Sequence, residues 1–381
     1  IMDDTAANWG VLAAGLGLVV LVATETGVVS WMTPATTVGP VTARQVAAAG
    51  FVIAALAFSL GRHGALDRRQ AGLGATGASA VATVATLVAF FGPEFRTGVE
   101  ATVGIAVYLT VLAGGVTVAL GWALSTGVSN DRLYTVARAL SVATGIGLAG
   151  FLVGTLFAQF VVLGAAAAGL VSAAALNGGT VTGPTYITLT IGIGVGFIGF
   201  GAAVARRLDR TWADLDLRRP GLRDVGYGVG GVVVLMVALF GFSYLIQALG
   251  LEAARSSVEE LAREDPSFLL VMVPLAFLTI APSEEFIYRN LIQKYLYDDF
   301  GDLQAIILTS AVFGVVHFGQ YSTGTPTQTV LSLLLVFVLS TLLGLSYLKT
   351  ENLLVPIFIH GAFNAIQFLT LYIEITGNPV I

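Results

Sequence analysis

Cysteine is absent from the 381-residue chain, and charged residues are few. Without cysteine there can be no disulfide, no thiolate metal site and no cysteine nucleophile, which excludes zinc fingers, iron–sulfur clusters and cysteine proteases. Only 11% of the residues are charged and the net charge is −5, so no basic field attracts nucleic acid. Lysine is rare beside alanine, glycine, valine and aspartate, a composition that suggests a GC-rich genome such as that of a halophile.

Apolar runs dominate the sequence, since 56% of the residues are hydrophobic. Crossing a hydrocarbon core of about 30 Å takes roughly 20 apolar residues, and in lipid such a segment must be helical to pair its backbone groups. The sequence therefore predicts an all-α fold, a polytopic membrane helical bundle with about eleven transmembrane helices. The predicted spans are about 9–31, 45–61, 71–92, 101–124, 139–163, 185–205, 226–249, 267–297, 303–318, 328–348 and 352–375.

Two modules are predicted on either side of one charged connection, residues 206–224, which holds six arginines and four aspartates. Residues 1–205 form a Gly/Ala-rich transmembrane helical module, in which small residues let helices approach closely. Residues 225–381 have bulkier apolar side chains and nearly all the intramembrane polar residues. Chemistry is therefore expected in 225–381, with 1–205 gating a substrate, binding a membrane-protein partner or serving another role.

The charged connections predict the orientation of the chain in a plasma membrane. Residues 61–69 and 206–224 are basic, whereas 93–100 is mostly acidic. Because positive connections stay in the cytoplasm, the N-terminus is expected there too. Residues 1–8 are acidic, so the first apolar run is read as a permanent span, and 251–266 is expected to form a short surface helix.

The stretch PSEEFIYRN places two glutamates and an arginine within an apolar helix. A charge near the middle of a bilayer costs on the order of 3 kcal/mol or more, so such residues are usually paired, buried and functional. Glu285 and Arg289 are four residues apart and are expected to form an ion pair on one helix face. Glu284 is turned about 100° away and can face another helix. Pro282 favours a new helical segment, which Ser283 is expected to cap.

Two of the three histidines lie in the second module. His317 follows Phe313 by one turn near the end of its apolar run, and His360 precedes Asn364 by one turn on the last predicted helix. Scattered in lipid, these polar groups would each cost desolvation energy, so they are expected to converge with the glutamates. Glu284 is about 25 Å along its helix from the outer end, and this depth is difficult to match with the position of His317.

Several functions fit these residues. A glutamate and a histidine can activate water, and a histidine with an asparagine amide can stabilise an oxyanion, as in a peptide hydrolase. His317, His360 and Glu284 could alternatively hold a divalent metal such as zinc, although no HExxH motif is present. A catalytically silent scaffold or partner subunit held by a buried salt bridge, and a proton-coupled transporter, remain alternatives.

Three motifs occur in order on separate predicted helices: EExxxR at 284–289, FxxxH at 313–317 and HxxxN at 360–364. Together they resemble the CPBP family of CAAX proteases and bacteriocin-processing enzymes, also called the Abi family, over about residues 225–375. The resemblance implies an intramembrane (metallo)endopeptidase. In it, Glu284 would be the general base and His317 would orient the water or bind metal.

The same resemblance implies roles for the remaining motif residues. His360 and Asn364 would form the oxyanion site, and Glu285 with Arg289 would be the supporting pair. The implied substrate is a membrane-associated or lipidated protein, and the implied partners are membrane lipid and that peptide or protein. These residues agree with activation of water by a tightly bound metal and also with activation of water without a metal.

Overall fold

Helices make up almost all of the chain that the computed structural model describes, which comprises residues 5–23, 37–38, 41–91, 101–172, 181–321 and 324–377. The predicted all-α fold is confirmed. Among these residues the only strands are Thr37–Val38 and Val41–Thr42, which form a short antiparallel ladder. The helices are α1 Thr5–Ala23, α2 Ala43–Arg62, α3 Arg68–Phe91, α4 Ala101–Thr126, α5 Asn130–Ala167, α6 Gly183–Arg207, α7 Leu222–Ala248, α8 Ser257–Glu264, α9 Phe268–Leu275, α10 Ala281–Glu285, α11 Lys294–Leu296, α12 Asp302–Val316, α13 Phe318–Tyr321, α14 Pro326–Thr350 and α15 Leu354–Thr376.

Seven helices in the described ranges are long and apolar enough to cross a membrane, by length and composition. A helix lies at each of the predicted spans, but the transmembrane count of about eleven is not confirmed. Shorter apolar helices account for part of the difference: Thr5–Leu21, Ala113–Thr126 and Asp302–Val316. The seven are Gln45–Arg62, Asn130–Ala167, Gly183–Arg207, Leu222–Ala248, Phe268–Leu296, Thr327–Thr350 and Leu354–Thr376.

Two compact units divide the chain. The first runs to Ala137 and includes Thr325–Thr327, and the second takes the rest from Arg138 onward. The division falls inside α5, so the connection 206–224, predicted as a module boundary, lies within the second unit. Helix α8 lies in 251–266, where the sequence predicts a short helix.

The first unit is a ring of four helices in which α1 and α3 each pack against α2 and α4. Glycines allow close approach at two of these contacts. A Cβ atom on Gly72 of α3 would lie 2.6 Å from the carbonyl oxygen of Gly121 on α4. A Cβ on Gly10 of α1 would lie 2.4 Å from the ring of Phe58 on α2. These distances leave no room for a side chain, as in other membrane bundles whose interfaces use small residues.

A single continuous helix, Phe268–Leu296, is central to the second unit, and we call it the glutamate helix. It joins α9, α10 and α11 through two π-helical segments, Ala276–Ile280 and Phe286–Gln293. Pro274 and Pro282 lie on either side of the first π segment. Because proline lacks a backbone N–H and crowds the preceding turn, a local widening is the expected response.

The middle of the glutamate helix is enclosed by other helices. Residues 287–293 are all buried, as expected of a helix surrounded by protein rather than lipid. Helices α6, α12 and α15 pack against it. The ring of Tyr288 meets the ring of Phe313 on α12 edge to face, with centroids 4.7 Å apart. This enclosure surrounds the predicted polar residues with low-dielectric protein.

Candidate active site

The Glu285–Arg289 pair lies at the middle of the glutamate helix. Arg289 Nε donates a hydrogen bond of 2.8 Å to Glu285 Oε2, and both side chains are 0% exposed. The spacing of four residues brings the two groups to one helix face. A buried charge without a partner is very costly, so each group keeps the other ionised inside the protein.

Arg289 reaches a fourth helix that the three sequence motifs do not include. Its Nη2 donates to Ser340 Oγ on α14 at 2.9 Å, and its guanidinium lies 5.6 Å from the centre of the Phe313 ring. Ser340 is itself fully buried. Sequence reasoning missed this residue, although a serine within the apolar run of α14 is a signal that could have found it.

His360 on α15 connects the two glutamates. Its Nδ1 lies 2.8 Å from Glu285 Oε1, so both oxygens of the Glu285 carboxylate have partners. An ionised carboxylate can only accept, and Nδ1 therefore carries the proton in this bond. The other ring nitrogen, Nε2, lies 3.9 Å from Glu284 Oε2. The ring is thus held on one side and directed at Glu284 on the other.

Glu284 differs from its neighbour in having a free oxygen. Its side chain is 19% exposed, yet Oε2 is buried and makes no hydrogen bond within the described part of the chain. Ser283 does not act as the cap expected from the sequence, since its Oγ donates to the Ile280 carbonyl at 3.0 Å and α10 begins at Ala281. The unpaired Oε2 beside His360 Nε2 can accept a hydrogen bond from a small polar molecule.

His317 lies beside this cluster but does not contact Glu284 through a hydrogen bond or ion pair among the described residues. It is the C-terminal cap of α12, and its Nδ1 is 2.8 Å from the carbonyl oxygen of Phe313. Its ring packs on Phe313 with centroids 4.3 Å apart, and His360 approaches the same phenylalanine ring at 6.3 Å. The histidine nitrogen found beside Glu284 is thus Nε2 of His360, at 3.9 Å from Oε2, and the role of His317 in orienting a water stays a prediction.

Asn364 follows His360 by one turn on α15, as the HxxxN spacing predicts, and is half-buried. Within the described residues its amide makes no hydrogen bond. The structure thus gathers Glu284, Glu285, Arg289 and His360 directly, while the amide of Asn364 stays free to donate.

The depth of His317 follows from the length of α12. Fifteen residues rise about 22 Å, which is less than a hydrocarbon core of about 30 Å. Helix α12 starts shortly after the glutamate helix ends, and its last turn therefore returns only to the level of Tyr288 and Glu284. In agreement with this rise, the ring of Phe313, one turn before His317, contacts the ring of Tyr288 on the glutamate helix.

Glu284, His317 and His360 are the residues that the sequence predicts as metal ligands. No group of three or more His, Asp or Glu side chains in the described ranges is arranged to hold a metal ion. His360 Nδ1 and His317 Nδ1 are both engaged by protein acceptors, and only Glu284 Oε2 and His360 Nε2 face each other. The atoms of this set that could bind a metal are Glu284 Oε2 and Nε2 of the two histidines, because a metal-bound histidine usually makes a hydrogen bond through its other ring nitrogen.

The connection 206–224 is bound to the far half of the glutamate helix. The carbonyl oxygen of Asp214 accepts hydrogen bonds from Asn290 Nδ2 at 2.8 Å and from Lys294 Nζ at 2.7 Å. Asp216 forms an ion pair with Lys294 at 2.9 Å and accepts a hydrogen bond from the hydroxyl of Tyr347 on α14. These contacts fix the helix immediately after Arg289, and no sequence motif indicated them.

Asp214 also stabilises the turn from which it projects. The backbone N–H of Thr211 donates to its carboxylate at 2.6 Å, and the Thr211 hydroxyl at 2.8 Å. These bonds favour the ionised form and hold the pKa of Asp214 below its usual range.

Fold and site together define a class of protein: a membrane protein of apolar helices whose central helix carries a buried cluster of carboxylate, guanidinium and imidazole groups. Residues 266–366 match the family described as type II CAAX prenyl endopeptidase Rce1-like. This match confirms, over those residues, the resemblance to the CAAX protease family, and it spans the positions from Glu284 to Asn364. No curated protein and no solved structure gives a significant match to the chain.

Proposed function

We propose that this chain is an intramembrane endopeptidase in which Glu284 activates a water molecule for peptide-bond hydrolysis. The observation that carries the proposal is the unpaired, buried Oε2 of Glu284 facing His360 Nε2 at 3.9 Å. A single water about 2.8 Å from each atom can bridge that gap. The family of the matched segment supports a peptidase over other uses of such a pair.

Glu284 carries the proton through both steps of the proposed reaction. Glu284 takes a proton from water, and the oxygen forms a bond to the carbonyl carbon of the substrate. The electrons of the carbonyl double bond move to its oxygen, giving a tetrahedral intermediate. When the C–N bond breaks, the proton held by Glu284 passes to the leaving amine. The balance of atoms requires only substrate and water.

Glu285 and Arg289 act by positioning His360. Glu285 Oε1 holds Nδ1 at 2.8 Å, and Arg289 holds the other oxygen at the same distance. The imidazole cannot rotate without breaking the first bond, so Nε2 stays directed at the bridging water. Such support of a catalytic group through hydrogen bonds preserves the short distances that catalysis requires.

Oxyanion stabilisation falls to the amide of Asn364. The amide is free of other bonds in the described chain and lies one helical turn from His360. An N–H donor aimed at the developing negative charge commonly contributes 10²–10³-fold or about 2.7–4 kcal/mol to catalysis. His317 donates its Nδ1–H to the Phe313 carbonyl, which leaves Nε2 as an acceptor that can help to orient the water.

The proposed substrate is a membrane-associated or lipidated protein, because the site lies within helices that cross the bilayer. Residues 1–205 are proposed to contact a membrane-protein partner or admit the substrate. The N-terminus is proposed to be cytoplasmic, in a plasma membrane. We propose water activation by Glu284, and a divalent metal held by Glu284, His317 and His360 is the alternative that the residues leave open.

A direct test measures cleavage of fluorogenic peptides, lipidated and unmodified, by the purified protein in detergent or liposomes. Glu284→Gln keeps size and hydrogen bonding but removes the base, and it should lower turnover about 10²–10⁴-fold. Glu259→Gln, the same change on the exposed helix α8, is the control and should retain activity. Equal turnover by both variants would contradict the proposal.

A catalytically silent scaffold predicts a different pattern. The fully buried bonds among Glu285, Arg289 and Ser340 would then matter only for stability. In that case no peptide is cleaved by the parent protein, and Glu284→Gln changes neither melting temperature nor partner binding. Cleavage that is lost in Glu284→Gln at unchanged melting temperature excludes the scaffold.

A further inference from the structure

A groove between α7 and α14 lies apart from the candidate active site. Its volume is about 450 Å³, within the usual range of ligand-binding pockets. Most of its surface is apolar, while one end carries two cationic side chains and a phenol. The groove is lined by Gly226, Gly230, Val234, Leu235, Leu342 and Leu345, with Arg223, Tyr227 and Lys349 at the polar end.

The polar end has uncompensated positive charge. Arg223 Nη2 donates to the backbone carbonyl of Lys349 at 2.9 Å, and its guanidinium lies 5.6 Å from the centre of the Tyr227 ring. Both cations are exposed, and neither forms an ion pair with a carboxylate in the described chain. Arg218 nearby does so, with Asp224 at 3.0 Å. Arg223 and Lys349 are therefore available to an anionic group at this end of the groove.

Glycines of α7 leave the space that forms the apolar part of the groove. A Cβ on Gly226 or Gly230 would meet no atom within 4 Å, so both positions border open space. Gly231 also lines the groove, but a Cβ there would lie 2.3 Å from Ile359 of α15. One face of α7 is thus packed against protein, and the adjacent face leaves a channel along the helix.

The dimensions and charge fit one kind of molecule. Positions 223–235 rise about 18 Å along α7, close to the depth of one leaflet of a 30 Å hydrocarbon core. The charged end lies where α7 begins and α14 ends, at the membrane surface next to the connection 206–224. An anionic phospholipid combines these two features, since its acyl chain has about the length of one leaflet and its anionic group lies at the membrane surface.

We propose that this groove is a binding site for an anionic phospholipid, with its phosphate at Arg223 and Lys349 and one acyl chain along Gly226 and Gly230. The two unpaired cations distinguish the site from ordinary lipid contact, since a zwitterionic headgroup supplies its own positive charge. From the usual attraction of basic residues to anionic lipid, two cations favour the anionic lipid on the order of 30-fold.

Native mass spectrometry of the delipidated full chain tests this proposal, with phosphatidylglycerol and phosphatidylcholine of equal chain length titrated separately. The parent protein should bind one phosphatidylglycerol about 30-fold more tightly than phosphatidylcholine. Arg223→Ala combined with Lys349→Ala should abolish that preference. Equal affinity of the parent protein for both lipids would overturn the proposal.

Filling the groove tests the acyl site separately. Gly230→Leu places a side chain in open space and should weaken binding of phosphatidylglycerol at least tenfold. Gly241→Leu, also on α7, is the matched control, because its Cβ likewise meets nothing within 4 Å and the position lies outside the groove. Equal binding by the two variants, each with an unchanged melting temperature, would refute the acyl site. Glu284→Gln should bind lipid normally, so that lipid binding and peptidase activity are judged independently.

Discussion

Replacing Arg289 with methionine is expected to lower the free energy of unfolding by about 3–5 kcal/mol. The change keeps an apolar stem but leaves the Glu285 carboxylate, which is 0% exposed, with His360 as its only hydrogen-bond partner among the described residues. It also removes the bond to Ser340 at 2.9 Å. Interhelical hydrogen bonds in membrane proteins average only about 0.6 kcal/mol, so most of the loss comes from the unpaired charge. Equilibrium unfolding in mixed micelles measures the effect.

A pair with the same spacing and nearly the same length provides the control. Arg263 Nη2 lies 2.9 Å from Glu259, but these side chains are 46% and 28% exposed. Arg263→Met should therefore cost about 0.3–0.5 kcal/mol, the usual contribution of an exposed helical pair. Glu285→Gln combined with Arg289→Met should cost at least about 2 kcal/mol less than the sum of the single changes. Additive losses, or equal losses for Arg289→Met and Arg263→Met, would refute the reasoning from burial.

Two further predictions concern packing and acid. Gly344→Ala should destabilise the protein by about 1–3 kcal/mol, because the added Cβ would lie 2.8 Å from Gln293 Oε1. Gly314→Ala is the control and should be tolerated, because the atom nearest to its Cβ would be 3.5 Å away. Equal unfolding curves for the two variants would contradict this prediction. The hydrogen bond from the Thr211 N–H lowers the pKa of Asp214 in the folded protein. The Asp214 carboxylate therefore stabilises the fold above its ordinary pKa of 3.8, and this stabilisation is lost as the pH falls through the lowered pKa. Asp214→Asn should remove this part of the acid-induced fall in melting temperature, and an unchanged pH profile would contradict the assignment.

Helix positions could be predicted from sequence because the lipid environment restricts them strongly. A run of roughly 20 apolar residues has few structures available in a bilayer, and helices lie at the predicted places. The Glu285–Arg289 pair follows for a similar reason, since spacing of four within one helix fixes which side chains meet. The length of α12 could be predicted from its apolar run, but the contact of its last turn with Tyr288 is known only from the structure.

Contacts between helices were less predictable. The sequence does not state the rotation of α12 and α15 about their axes, and this rotation decides which histidine approaches Glu284. The prediction paired Glu284 with His317, whereas His360 Nε2 lies 3.9 Å from Glu284 Oε2. That choice depends on the bond from His317 to the Phe313 carbonyl and on the bond from His360 to Glu285. Likewise, the charge-rich character of 206–224 suggested a boundary but did not indicate that the carbonyl oxygen of Asp214 accepts hydrogen bonds from the glutamate helix.

The connection 206–224 is part of the support of the candidate site. Asn290 follows Arg289 directly, and its amide is held by the Asp214 carbonyl, with Lys294 on the same acceptor one turn later. These bonds fix the rotation of the glutamate helix, and that rotation decides whether Glu285 can hold His360 while Glu284 faces its Nε2. Because Glu284 and Glu285 are turned about 100° apart, a small rotation would break one contact before it could improve the other. The alignment of the proposed base and its histidine therefore depends on a segment outside every sequence motif.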